Sequence, residues 1–258
     1  MRGQYEVIYL SVGLPEINDI QTVFLSIDFL KSLGNRVNNM KMVDDAHSDK
    51  GLKAVLSLPQ IYNLFSMITG NKSSLIRLGK DFVNPFPGCR ILDIGCGTGT
   101  ILSSFPNYIG EYNGFDMNES YIEFAKKRWK GNDKYRFFCE RVSEATIKEK
   151  GHYDIVLATG ILHHLNDREA DDLLKIAHQS LKRNGVLITY DNVYVENQHW
   201  FAKWLISKDR GQSVRTVDGY NKLITRHFKT FDGDVVHDAL NVPYTIYQTR
   251  CIKNDSAD

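Results

Sequence analysis

The chain has 258 residues, enough for one large domain or one domain with an appendage, and its 42% hydrophobic and 24% charged residues suit a globular chain with a substantial core. Its 32 Lys and Arg against 31 Asp and Glu leave a formal charge of +1, which argues against extended nucleic acid as a partner, because phosphate neutralisation normally demands a strong basic excess. Cys89, Cys96, Cys139 and Cys251 form no C-x-x-C pair and have no histidine at zinc spacing, which argues against a disulfide framework and a structural metal and for reduced thiols in a cytoplasmic protein.

Pro15, Glu16 and Asp19 break the first apolar run, so neither a secretory core nor a membrane span is expected there. Residues 1–50 read as an N-terminal extension or linker, with the polar stretch 35–51 rich in Asn and Asp. In residues 51–87, Val55, Leu58, Tyr62, Phe65 and Ile68, then Leu75, Leu78 and Phe82, recur at helical spacing, which predicts a helical cap broken at Gly70-Asn71. The stiff turn 84–88, with Pro85 and Pro87, launches a buried strand over 89–94.

From residue 88 to 258 the pattern alternates. Strands are expected at 111–116, 135–140, 153–158 and 186–190, with a helix over 118–131 capped by Asn118. A second helix is expected over 167–183, with Ala170, Leu173, Leu174, Ala177 and Leu181 on one face and Asn184-Gly185 closing it. Helices near 198–207 and 217–228 follow, then apolar-alternating runs at 233–237 and 244–251 that can pair antiparallel at one edge. Strands separated by helices imply a doubly wound α/β domain, with a mostly parallel seven-stranded sheet, helices on both faces and an antiparallel edge strand near the C-terminus.

The chemistry concentrates in Asp93-Ile94-Gly95-Cys96-Gly97-Thr98-Gly99, directly after a strand. Three alternating glycines let a backbone pass close under a ligand. The dinucleotide spacing G-x-G-x-x-G is not met, because the third glycine comes one place early. Asp116 ends the next strand, 17 residues beyond Gly99, where a carboxylate can take both hydroxyls of a ribose.

This D-x-G-x-G-x-G pattern resembles that of class I S-adenosylmethionine-dependent methyltransferases, and the resemblance runs over about residues 62–251. It implies that the loop Asp93, Gly95, Cys96, Gly97, Thr98 and Gly99 cradles the methionine part of S-adenosylmethionine. It also implies that Asp116 takes the ribose and that Met117 is a shelf for adenine. Many members carry an acid after the third strand to take the adenine amino group; here the segment reads Glu140-Arg141-Val142, so a backbone group of Arg141 or Val142 is expected to serve. The segment 153–165, ending Thr159-Gly160-Ile161-Leu162-His163-His164-Leu165, matches the family's fourth strand, which puts Thr159, Gly160 and His164 beside the sulfonium. No Asn/Asp-Pro-Pro-aromatic motif follows, which counts against methylation of DNA bases.

Methyl transfer needs an aligned acceptor and, for a hydroxyl, a base. His163, His164 and Asp191, with Tyr194 nearby, are the candidates. The loop Asp209-Arg210-Gly211-Gln212-Ser213-Val214-Arg215-Thr216 resembles a segment of a bacterial subgroup of these enzymes; Arg210 and Arg215 either clamp an anionic acceptor or tie the loop to a helix cap. Tyr62, Phe65 and Trp200 are candidates to roof the pocket or to fill the core. The function expected is methyl transfer from S-adenosylmethionine to a small-molecule acceptor, giving S-adenosylhomocysteine. A binding protein without transferase activity and a protein or RNA methyltransferase stand as the alternatives. Oligomeric state has no signature in the sequence.

Overall fold

The computed structural model describes residues 75–147, 150–208, 213–237 and 245–254. Contacts divide the chain into two units, Met1–Leu52 and Lys53–Asp258, and every described residue belongs to the second. The expected extension 1–50, most of the helical cap, Tyr62, Phe65, Arg210 and the first residue of the run 244–251 lie outside the described residues. The cap's last stretch is a π-helical turn, Arg77–Val83, ended by Asn84 at φ 49°.

Eight strands form one sheet: β1 Arg90–Ile94, β2 Glu111–Asp116, β3 Tyr135–Cys139, β4 Tyr153–Thr159, β5 Leu181–Tyr194, β6 Arg215–Thr216, β7 Thr230–Val236 and β8 Ile246–Ile252. Seven lie in the order β3-β2-β1-β4-β5-β8-β7, and the two-residue β6 pairs with the end of β5. Strands β1 to β5 run parallel; β8 is antiparallel to both β5 and β7. The expected antiparallel pair therefore closes one edge, with the antiparallel strand placed just inside it.

The central strands are apolar on both faces because both faces are covered. Successive side chains of a strand point oppositely. Leu92, Val156, Ala158 and Leu187 thus meet one core and Ile91, Ile155, Leu157 and Ile188 the other. On the first face lie α2 (Asp167–Ser180), through Ala170, Leu174 and Ala177, and α4 (Val217–Ile224), through Tyr220, Leu223 and Ile224. On the second lie α1 (Glu119–Arg128), through Ile122 and Ala125, and the 3-10 turn Thr100–Ser104. A further helix, α3, spans Trp200–Lys208.

The caps follow sequence logic. Asn118 Oδ1 accepts the amides of Ser120 and Tyr121 at 3.1 and 3.3 Å. At α2, Asn166 and Glu169 exchange side-chain and backbone hydrogen bonds, a capping box. The helix expected to reach Arg183 stops instead at Ser180, where Leu181 turns to extended backbone and pairs with Tyr153 as the first residue of β5. Leu181 is fully buried in the strand, and an apolar residue in register with a helix face fits a buried strand as well, so apolar spacing alone does not tell helix from strand there. Asn184, at φ 61°, sits inside β5, not at a helix end, beside the register shift opposite 153–155.

Leu174 is fully buried between α2 and the sheet. Leu174→Ala should cost about 2–5 kcal/mol of folding stability, read as a lowered urea midpoint with an unchanged slope; a loss below about 1 kcal/mol would show that this face repacks freely.

Candidate functional site

All the chemistry-bearing segments converge at the carboxyl ends of the parallel strands, where open α/β sheets bind ligands. The loop after β1 turns back under β2: the amides of Gly95 and Cys96 both donate to Phe115 O, at 2.8 and 3.0 Å. Gly95 has φ 79°, a conformation that favours glycine, and a Cβ there would stand 2.8 Å from the end of the Ile161 side chain. Gly99, at φ 65°, would press a Cβ to 2.9 Å from the Phe137 ring, and its carbonyl accepts the Trp129 indole N–H at 3.1 Å. Cys96, Thr98 and Gly99 are buried, with the Thr98 hydroxyl 2.8 Å from that of Thr100. The loop thus turns its side chains inward.

Asp116 stands opposite the loop. Its Oδ2 accepts the Gly97 amide at 2.9 Å and its Oδ1 the Asn118 amide at 2.8 Å. Each carboxylate oxygen has a second lone pair, so two hydroxyls can still be accepted.

Gly95, Asp116, Met117, Arg141 and Val142, all named from the sequence, line a cavity of about 1000 Å³. Its far wall comes from the turn after β4 and from α2: Ile161, Leu165, Asn166, Leu173 and Ile176. Met117 is 73% exposed, an apolar side chain available to a flat ligand. The wall on α2 went unnamed in the sequence because its apolar spacing is that of any helix packed on a sheet. In volume, apolar wall and paired hydroxyl acceptors, the cavity fits a nucleoside cofactor.

Beneath the loop lies Asp93, 1% exposed. The Tyr112 hydroxyl donates to its Oδ2 at 2.6 Å, while Oδ1 is buried without a partner. Burial pushes this carboxyl up to about 7; the Tyr112 hydrogen bond opposes the rise and the charge of Asp116 adds to it.

The histidine turn is split between two environments. The 3-10 turn Leu162–His164 buries His163, whereas His164 is exposed and its ring centroid lies 4.1 Å from that of His163. His163 Nδ1 lies 2.8 Å from Asp191 Oδ1, which also accepts the His163 amide at 3.2 Å. A carboxylate only accepts, so Nδ1 carries the proton and Nε2 holds the lone pair. Asp191 is 2% exposed and its Oδ2 is buried without a partner. Thr159 ends β4 and Gly160 follows it, its amide donating to Tyr190 O at 2.7 Å. Tyr194, half-buried, ends β5.

Arg215 departs from the clamp reading. Nε and Nη2 donate to Asp167 Oδ1 at 3.0 and 2.7 Å, Nη1 to the carbonyls of Leu162 and Ser213 at 2.9 and 3.0 Å, and Nη2 also to Leu165 O at 2.8 Å. A guanidinium has five N–H donors, so none remains for an acceptor's carboxylate. The tie to a helix start is what the geometry gives, and Thr216 beside it caps α4. Trp200 is 71% exposed and does not line the cavity.

Comparison with known proteins agrees with this geometry. Residues 92–187 match the family model described as a methyltransferase domain. A ubiquinone biosynthesis O-methyltransferase of Pelagibacter ubique is 31% identical over 163 residues, covering 53% of this chain and 67% of that protein. A malonyl-[acyl-carrier protein] O-methyltransferase of Bacillus cytotoxicus is 31% identical over 116 residues, 43% of this chain but only 38% of that protein. The Haemonchus contortus phosphoethanolamine N-methyltransferase 2, solved with S-adenosyl-L-methionine, shares the fold with a TM-score of 0.63 at 13% identity, over 83% of this chain and 62% of that one. Fold and site together define a Rossmann-like methyltransferase domain. The chain belongs to the class I S-adenosylmethionine-dependent methyltransferases, enzymes that use this cofactor and release S-adenosylhomocysteine. Among the described residues no helix is long and apolar enough to cross a membrane.

The raised carboxyl of Asp93 gives a signed expectation. The folded chain holds this proton up to about pH 7 and the unfolded chain only to about 3.8, so the stabilisation is complete below the lower value and lost as pH rises through the higher one. Between pH 4 and 8 the wild type should lose a few kcal/mol more stability than Asp93→Asn; parallel stability curves in urea across that range would refute it.

Proposed function

We propose that this enzyme methylates an oxygen of a small hydroxylated or carboxylated acceptor, with His163 as the base and Asp191 holding it. The observation that carries this reading is the 2.8 Å contact between His163 Nδ1 and Asp191 Oδ1, at the carboxyl ends of neighbouring parallel strands. The names of the two O-methyltransferase relatives support oxygen as the acceptor atom.

When bound, the cofactor supplies a methyl group on a positively charged sulfur. Gly95, Gly97 and the backbone around them make room for its methionine part, and Asp116 takes the ribose hydroxyls through its remaining lone pairs. Met117 and the backbone of Arg141 and Val142 receive the adenine. In this reading Asp93, Cys96, Thr98 and Gly99 support the loop from behind, and Thr159 and Gly160 border the reacting end.

The acceptor's hydroxyl gives its proton to His163 Nε2 as its oxygen takes the methyl group. The resulting imidazolium is held by Asp191, whose carboxylate fixes the ring's tautomer and offsets the new charge. His164 and Tyr194 border the acceptor. The free thiols of Cys89, Cys96, Cys139 and Cys251 fit a reducing cytoplasm, and the near-zero charge favours a small acceptor over nucleic acid.

Two measurements test the two halves separately. Asp116→Ala should weaken S-adenosylhomocysteine binding in calorimetry by about 1.5–3 kcal/mol, the worth of hydrogen bonds to a charged group; unchanged affinity would remove Asp116 from the cofactor site. On a panel of phenols, scored by S-adenosylhomocysteine release, His163→Gln and Asp191→Asn should slow turnover roughly 100-fold or more, with cofactor affinity preserved. A His163→Gln enzyme at full rate would show that the base lies elsewhere.

A further inference from the structure

The segment Ser213–Thr216 does more than join two helices. Its strand β6 pairs with β5 at Val193↔Arg215 and Tyr194↔Thr216, just beyond Asp191. From the same segment, the Ser213 amide donates to His163 O at 3.0 Å. One short stretch of backbone is therefore bonded both to the strand that carries Asp191 and to the turn that carries His163.

Arg215 completes the tie. Its carbonyl partners Leu162 and Leu165 bracket the two histidines, and its carboxylate partner Asp167 begins α2. The Arg215 side chain is 10% exposed, against 77% for Asp167. An Arg–Asp pair in open solvent contributes little, but here the planar fork is held by three backbone carbonyls as well, a geometry that a lysine cannot reproduce. The Tyr220 ring lies 5.7 Å from the guanidinium carbon, and its hydroxyl donates to Asn192 O at 2.8 Å, next to Asp191.

We infer that Arg215 is the positioning residue of the acceptor half of the site: it fixes the turn 162–165 against β5 so that His163 meets Asp191, without itself touching the acceptor. This rests on the reading of His163 as the base. Arg215 acts on the alignment of that base and not on binding, so its removal shows in kcat and not in the cofactor's Kd or the acceptor's KM.

The test uses the full chain, with Arg215→Ala, Arg215→Lys and His163→Gln assayed in parallel on whichever acceptor of the panel turns over. Arg215→Ala should lower kcat at least ~10-fold, as loss of alignment does, with the Kd for S-adenosylhomocysteine and the KM for the acceptor both within about 2-fold of wild type. Arg215→Lys should fall between, and added guanidinium should restore part of the rate to Arg215→Ala. Imidazole nitrogen NMR should show His163 as the single Nδ1–H tautomer in wild type and as a mixture in Arg215→Ala. If Arg215→Ala does not fold, Asp167→Asn removes one partner only and should show the same pattern at a smaller size.

The inference is overturned if Arg215→Ala keeps full kcat and a single tautomer while His163→Gln is slow, or if the loss falls on KM, which would make Arg215 a binding group. A full-rate His163→Gln with an Arg215-dependent tautomer would instead sink the base assignment and leave the positioning geometry standing.

Discussion

The site hangs on one close approach. The backbone at Gly95, held at φ 79°, lies against the Ile161 side chain, 2.8 Å from its Cδ1 to where a Cβ would stand, so the loop after β1 meets the turn after β4. Because β1 and β4 are hydrogen-bonded neighbours in a parallel sheet, the approach is fixed by the sheet and not by the loops. Everything chemical sits on one side or the other of that contact. The glycine loop and Asp116 lie towards β2, and the histidine turn and Asp191 lie towards β5.

The two halves differ in how legible they were in the sequence. Most residues proposed for the cofactor lie in one stretch, from Asp93 to Val142, with Thr159 and Gly160 further on, and the features of that stretch are set by strict local needs: positive φ at the glycines, a carboxylate at a strand end, a capping Asn118 that starts the next helix. Such requirements leave a residue signature at fixed spacing. The acceptor half is assembled from positions far apart in the chain. Arg215 reaches Leu162, Leu165 and Asp167 across about fifty residues, and a two-residue strand such as β6 has no periodicity to detect. The same arginine was compatible with an anion clamp until its partners were known, because residue type alone does not say which acceptors a guanidinium will find. The end of α2 is set by something else: an apolar Leu181 suits a buried helix face or a buried strand, and the deciding factor is its pairing with Tyr153.

Two buried carboxylates show how one residue type is put to different uses. Asp93 lies under the loop with a single hydrogen bond from Tyr112, and desolvation dominates, so its proton is retained to about pH 7. Asp191 lies under the histidine turn and is met by two donors from one residue, the amide and Nδ1 of His163. Each has one oxygen buried without a hydrogen-bond partner, an arrangement that costs stability and is tolerated mainly where a site requires it. For Asp93 a retained proton relieves that cost. For Asp191 the two hydrogen bonds from His163 offset part of that cost.

That asymmetry bears on how the enzyme can change its acceptor without losing its cofactor. The cofactor half is tied into the sheet through backbone hydrogen bonds such as those from Gly95 and Cys96 to Phe115, and substitution there disturbs the core. The histidine turn is held by backbone ties too, from Ser213 to His163 and from Gly160 to Tyr190, and also by side-chain ties, the Arg215 fork and the Tyr220 hydroxyl on Asn192. Side-chain ties can be exchanged one at a time at a cost of about a hydrogen bond each. The fold and cofactor are readable from this chain, whereas the acceptor has to be argued from the histidine, the carboxylate and what holds them.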